Sequence, residues 1–182
     1  MEMARRAIDL IRRNHKANKP LFLMINVSSK TLESRLYSAW LQDRLKKGNL
    51  PERSLAFAIN EEDVSNYPAE IKRFCLTVKN LGLCVVLKQS NAASCSASMR
   101  YMREVKADFL KVNRLLVHRL QKEPKYPVQL KSLVKYGDQI NCQVIGAYVD
   151  DAQTLAALWQ AGVQYVQGYF IQRPLSGMNY DF

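Results

Sequence analysis

Along this chain, short uninterrupted apolar runs alternate with longer stretches whose apolar residues recur at helical spacing. The runs are PLFLMIN (20–26), SLAFAI (54–59), LCVVL (83–87), ADFLKV (107–112), CQVIGA (142–147) and VQYV (163–166). Continuous runs of this length, without polar alternation, predict strands buried on both faces. The intervening periodicity predicts helices over 4–15, 29–47, 68–80, 97–105, 114–121 and 127–136, and one within the segment DDAQTLAALWQAG. Ser29 is expected to cap the second helix. Its buried face would be Leu32, Leu36, Trp40, Leu41 and Leu45, and Gly48 would end it. Leu81-Gly82 closes the helix that follows, and Asp150 or Asp151 caps the last.

Six apolar strands, each followed by helix, imply a parallel sheet with covered faces. An open doubly wound sheet and a (β/α)-barrel both fit this order. The chain contains neither GxGxxG nor GxxxxGK[ST], so the usual nucleotide-binding reasons for an open sheet are missing. A complete barrel has eight strands in typically ~250 residues. The expectation is therefore an α/β, TIM-like (β/α) barrel that is incomplete at its N-terminus, with about six of eight strands. One domain would span residues 1–182. Such a sheet has two open edges, which predicts a homodimer, a partner or a missing N-terminal segment covering the seam.

Charge and cysteine content remove several classes of function. The net charge is +11, from 27 Lys and Arg against 16 Asp and Glu. The basic residues are scattered (Arg12, Arg13, Lys16; Arg44, Lys46, Lys47; Arg114, Arg119, Lys122, Lys125) and not interleaved with aromatics. They read as solvated helix faces rather than a groove for a nucleic-acid polymer. No apolar run approaches the ~18 residues of a membrane span. Cys75, Cys84, Cys95 and Cys142 form no CxxC, and three of them lie in apolar surroundings. They read as free thiols of a cytoplasmic protein and not as a zinc site.

In either fold the chemistry sits at the C-terminal ends of the strands. Those ends read Asn26; Ala58-Ile59-Asn60-Glu61; Lys88-Gln89-Ser90-Asn91; Lys111-Val112-Asn113; Ala147-Tyr148-Val149-Asp150; and Gln167-Gly168. This rim is rich in amides and poor in acids. A hard divalent cation wants carboxylate oxygens, and only Glu61 and Asp150 are placed to offer them.

The order and spacing of these motifs resemble the EAL domain, the cyclic di-GMP phosphodiesterase barrel. INVSS (25–29) is similar to the family's strand ending in Asn, and LAFAINEE (55–62) to its Glu-Ile-Thr-Glu strand. NLGLCVVLKQSNAAS (80–94) resembles the strand leading into Asp-Asp-Phe-Gly, and ADFLKVN (107–113) resembles Val-Asp-x-Leu-Lys-Ile-Asp. QVIGAYVDDAQTLAALWQAGVQYVQGYFIQRPL (143–175) resembles the segment around Ala-Glu-Gly-Val-Glu and Gln-Gly-Tyr, and is the most specific match.

The resemblance implies which residues are kept and which are lost. The metal-binding Asn corresponds to Asn26, the strand lysine to Lys111, the late glutamine to Gln167 and the second glutamate of Glu-Ile-Thr-Glu to Glu61. The first glutamate is Ala58, and the one before Gly-Val-Glu is Ala147. The aspartate pair falls on Lys88-Gln89 or on Ser90-Asn91, depending on the anchor used for counting. Either way both carboxylates are gone, and the strand carrying Glu-Ala-Leu is not in the sequence. The degenerate pattern and the MNYDF tail are most similar to FimX-type regulators of type IV pili and twitching motility.

That resemblance implies an inactive receptor for cyclic di-GMP. It would use neither metal nor cofactor, would lie in the cytoplasm, even at the cell pole, and would pass its signal to a PilZ-domain partner. A ligand-independent scaffold and a residual phosphodiesterase remain the alternatives. The candidate ligand contacts are Asn26, Lys88, Lys111, Tyr148, Asp150, Gln167, Gly168, Tyr169 and Pro174. Of these, Asp150 also reads as a helix cap, and Gly168 as a simple turn.

Overall fold

The computed structural model describes residues 1–46, 50–90 and 95–175. Gly48, Asn91 and the MNYDF tail lie outside the described residues. Six parallel strands form one sheet in sequence order, β1 (Leu23–Asn26), β2 (Leu55–Asn60), β3 (Cys84–Lys88), β4 (Phe109–Lys111), β5 (Gln143–Gly146) and β6 (Tyr165–Val166). The helices are α1 (Glu2–Lys16), α2 (Ser29–Glu33), α3 (Arg35–Lys46), α4 (Glu61–Asn66), α5 (Pro68–Asn80), α6 (Cys95–Glu104), α7 (Arg114–His118), α8 (Lys125–Ile140) and α9 (Ala152–Gln160).

The register climbs as the sheet is crossed. Asn26, the last residue of β1, pairs with Ala58, then Val86, then Phe109, and the row ends at Gln143, the first residue of β5. This constant stagger is the shear by which parallel strands curl into a barrel wall. The sheet is a half-barrel of the expected TIM-like type.

Side-chain alternation divides the strands between two cores. Leu55, Phe57, Ile59, Val85, Leu87, Leu110 and Val144 join the large cluster shared with the helices. Ala56, Ala58, Cys84, Val86, Phe109 and Ile145 form a second cluster on the concave face, with Met24 packed against it. Both faces are therefore apolar, which is why the strands read as continuous hydrophobic runs. α1 shows the matching helical logic, burying Ala4, Ala7, Ile8 and Ile11 along one stripe.

The helix expected from Ser29 is two helices. Ser28, not Ser29, precedes the first turn, and Ser34 breaks the segment with an extended backbone (φ −73°, ψ 108°). The Ser34 hydroxyl accepts a hydrogen bond from the Tyr37 N–H at 3.2 Å and so starts α3. The break resets the helical phase. Leu32, Tyr37, Leu41 and Leu45 are buried, whereas Leu36 turns to solvent at 81% exposure.

α4 has no counterpart in the hydrophobic pattern. Asn60 leads into Glu61, Glu62 and Asp63 in its first turn, where negative charge suits the helix N-terminus. The short Glu-Glu-Asp segment carries too little apolar periodicity to announce a helix. Cys75, Cys84 and Cys142 are buried free thiols and Cys95 is half-buried. Among the described residues, no helix is long and apolar enough to cross a membrane.

Candidate functional site

Continuing the concave-face alternation past the apolar cluster brings polar residues to the strand ends. Asn26 follows Met24, Asn60 follows Ala58, Lys88 follows Val86 and Lys111 follows Phe109. Asn60, Lys88 and Lys111 occupy one row of the sheet, paired in register across β2, β3 and β4. Lys111 donates from Nζ to the Gln167 Oε1 at 2.7 Å. Burial, and then the neighbouring Lys88 charge, push the Lys111 pKa down from its ordinary value.

At this pole a cleft of about 630 Å³ is lined by Lys111, Arg114, Ala147, Tyr148, Asp150, Gln167, Gly168, Tyr169, Gln172 and Pro174. Seven of the nine candidate contacts meet there. Lys88 stands beside it on the next strand, and Asn26, exposed at the end of β1, lies off the cleft. Arg114 and Gln172 are additions that the strand-end reading missed. Arg114 follows Asn113 directly after β4, but in the sequence it resembles one more scattered surface cation.

Gly168 is more than a turn. A side chain there would overlap the Val149 backbone. The close approach lets the Val149 N–H donate to the Gln167 carbonyl at 3.1 Å, and the Phe170 N–H to the Val149 carbonyl at 3.0 Å. The loops after β5 and β6 are zipped together around this glycine, and the zip presents Gln167 and Tyr169 to the cleft.

Asp150 does not cap α9. The cap is Asp151, whose carboxylate accepts from the Thr154 N–H at 2.6 Å. That backbone hydrogen bond is the main reason its pKa lies below the ordinary value. Asp150 is left facing the cleft, with Oδ2 at 3.5 Å from His118 Nε2.

The residues after β3 do structural work. Gln89 is buried; it donates from Nε2 to Ser98 Oγ at 3.1 Å and accepts from the Asn113 N–H at 3.0 Å. Asn113 returns a hydrogen bond to the Ser90 carbonyl at 2.8 Å and accepts from the Leu115 N–H to cap α7. Glu61 is also buried and accepts from the Ser90 N–H at 3.0 Å. Ala58 and Ala147 are buried apolar side chains. Among the described residues, no three His, Cys, Asp or Glu side chains gather as a metal-binding group.

A staggered parallel half-barrel with a cationic, amide-lined mouth at the carboxyl ends of its strands defines a (β/α)-barrel domain with its site at the usual pole. More narrowly, the chain belongs to the EAL domain family, whose model matches residues 2–174.

Among curated relatives, the Cyclic di-GMP phosphodiesterase PdeA of Borreliella burgdorferi is 23% identical over 150 residues, covering 82% of this chain. The chain spans only 20–22% of the length of such relatives. A crystal structure of the FimX EAL domain superposes with a TM-score of 0.85 at 27% identity, covering 97% of this chain and 70% of that one. The FimX EAL domain from Pseudomonas aeruginosa bound to c-di-GMP is 29% identical, with a TM-score of 0.76, covering 88% and 65% of the two chains.

Proposed function

We propose that this chain is a cyclic di-GMP receptor that holds the dinucleotide without hydrolysing it and relays its presence to a protein partner. The observation that carries the reading is the in-register pair Lys88 and Lys111, with Gln167 bonded to the second. The Lys88 charge stands beside the half-buried Lys111 at the cleft wall, and like charges there repel one another and favour an anion. Phosphodiester oxygens accept from both lysines, and the Gln167 amide adds a donor. Tyr148, Tyr169 and Pro174 offer flat apolar faces to the bases. The c-di-GMP held by the similar FimX domain supports this choice of anion.

The residues present do not fit the divalent cation that hydrolysis in this family implies. Where carboxylates would gather, the inner face carries Ala58, Lys88 and Ala147, and Glu61 is engaged by the Ser90 N–H. Ammonium groups at that position oppose a cation, so no water-activating step is derived. The same reading puts the chain in the cytoplasm, as part of pilus or motility control, with a PilZ-type domain as the receiving partner. It also includes a covering surface for the open sheet edges at β1 and β6, supplied by a partner or by a second copy.

The test is a heat-flow titration of cyclic di-GMP in Mg²⁺, in Mn²⁺ and in a chelator, with each sample then chromatographed for the linear dinucleotide. The reading expects micromolar or tighter binding, unchanged by the chelator, and no product. Absence of binding refutes it, and metal-dependent product would restore the phosphodiesterase.

A further inference from the structure

We infer a second anion site, at the opposite end of the sheet from the cleft, that takes a diphosphate group through Arg53, Lys79, Arg103 and Lys106. These four cations, with Asp108 and Asn141, line a separate cavity of about 470 Å³. It lies where the chain enters the strands: Arg53 precedes β2, Lys106 and Asp108 precede β4, and Asn141 precedes β5. Lys79 and Arg103 come from the last turns of α5 and α6. Segments far apart in sequence thus bring like charge to one hollow, unlike the scattered cations of the exposed helix faces.

A buried carboxylate organises the floor. Asp108 is only 5% exposed and accepts from Lys79 Nζ at 2.6 Å and from Arg53 Nη1 at 3.2 Å. Its other oxygen accepts from the Val85 N–H at 2.8 Å. These contacts neutralise the one negative charge and fix two of the cations, each with donors to spare. With four cations against one carboxylate, the lining carries a net charge of +3. Among the described residues no acid pairs with Arg103 or Lys106, and Glu104, though next to Arg103 in sequence, does not line the cavity.

Nor is this charge spent on capping helix ends. The Gly82 N–H donates to the Lys79 carbonyl at 3.0 Å, and the Lys106 N–H to the Arg103 carbonyl at 3.2 Å, so backbone groups meet those carbonyls. Arg53, Lys106 and Asn141 stand in the left-handed region, with φ of +57°, +50° and +56°. Glycine would hold such turns without strain, so two of them keep a cation at a conformational cost. Like charges around a hollow repel one another, and an anion with several oxygens relieves that repulsion from more than one side. A diphosphate supplies such oxygens, whereas a single carboxylate supplies two.

The test titrates inorganic pyrophosphate into the 182-residue chain carrying Lys111→Met, chosen to weaken the anion contacts of the cleft. Arg103→Gln and Lys106→Asn are then added singly; both residues are exposed, and Asn suits the left-handed turn. Lys131→Gln removes the same charge at an exposed position outside the cavity. Each cavity variant should lose about tenfold in pyrophosphate affinity, with Lys131→Gln unchanged. GDP that displaces pyrophosphate assigns a nucleotide-borne diphosphate, and GDP that does not compete assigns the free anion. Absence of pyrophosphate binding, unaltered affinity in both cavity variants, or an equal loss in Lys131→Gln overturns the site. Cyclic di-GMP takes no part in these titrations, so the receptor reading stands or falls separately.

Discussion

Lys88 and Lys111 stand opposite one another in register on β3 and β4, both on the concave face and both at the ends of their strands. Among the described residues no acid forms an ion pair with either; Lys111 rests instead on the Gln167 amide. Like charges held side by side at the cleft wall repel one another, and an anion there would relieve the repulsion.

Replacing either lysine should separate those two effects. Lys111→Met removes a charge-assisted contact worth about 1.5–3 kcal/mol, hence a loss of cyclic di-GMP affinity of roughly tenfold to a hundredfold. Lys88→Gln should weaken binding as well, and should raise the melting temperature of the unliganded chain slightly. Calorimetric titration and thermal melts on the same samples measure both. A Lys88→Gln chain that binds as tightly as the wild type contradicts the cradle.

The lowered Lys111 pKa carries a sign that a pH series can read. Its folded-state value lies below 10.5, so between the two values the unfolded chain binds more protons than the folded one. The Lys111 contribution to stability is therefore unfavourable at neutral pH and improves as pH rises through the folded value toward 10.5. Anion affinity runs the other way, because it needs the ammonium. In the alkaline window below 10.5, cyclic di-GMP binding should fall, and in Lys111→Met that fall should shrink.

Gly168→Ala should damage the fold at the cleft. The added methyl meets the Val149 backbone, which cannot rotate away as a side chain can. A loss of about 3 kcal/mol in chemical denaturation is expected, with ligand binding weakened because Gln167 and Tyr169 lose their support. Unchanged stability in the Gly168→Ala variant would show that the two loops can part.

Gln89→Leu tests the loop network. The substitution removes partners from Ser98 and from the Asn113 N–H. The expected cost is about 2–3 kcal/mol, measured by denaturant unfolding. Cyclic di-GMP affinity should change less than stability, since the Gln89 amide is spent on Ser98 and the Asn113 N–H.

Pattern alone carried the six strands and their parallel pairing. Six apolar runs became six parallel strands; β2 and β3 are buried on both faces, whereas the short β6 leaves Tyr165 exposed. Helix boundaries were harder where local polar chemistry overrides periodicity. Ser34 split a helix through one hydroxyl hydrogen bond, and Leu36 went outward with it. Asp150 and Asp151 are adjacent acids, and only the backbone geometry decides which one reaches the Thr154 N–H. Lys111, Tyr148, Gln167 and Gly168 were legible as strand-end residues, and Tyr169 and Pro174 through the family resemblance. Arg114 was not, since its place in the cleft wall depends on where α7 sets it.

The Val149–Gly168 contact also makes the cleft a mechanical joint. Gln167 cannot shift without pulling on Val149, and two residues beyond Val149 the chain enters the Asp151 cap of α9. The cleft wall and the start of the helix that carries the exposed Trp159 are therefore one continuous hydrogen-bonded segment.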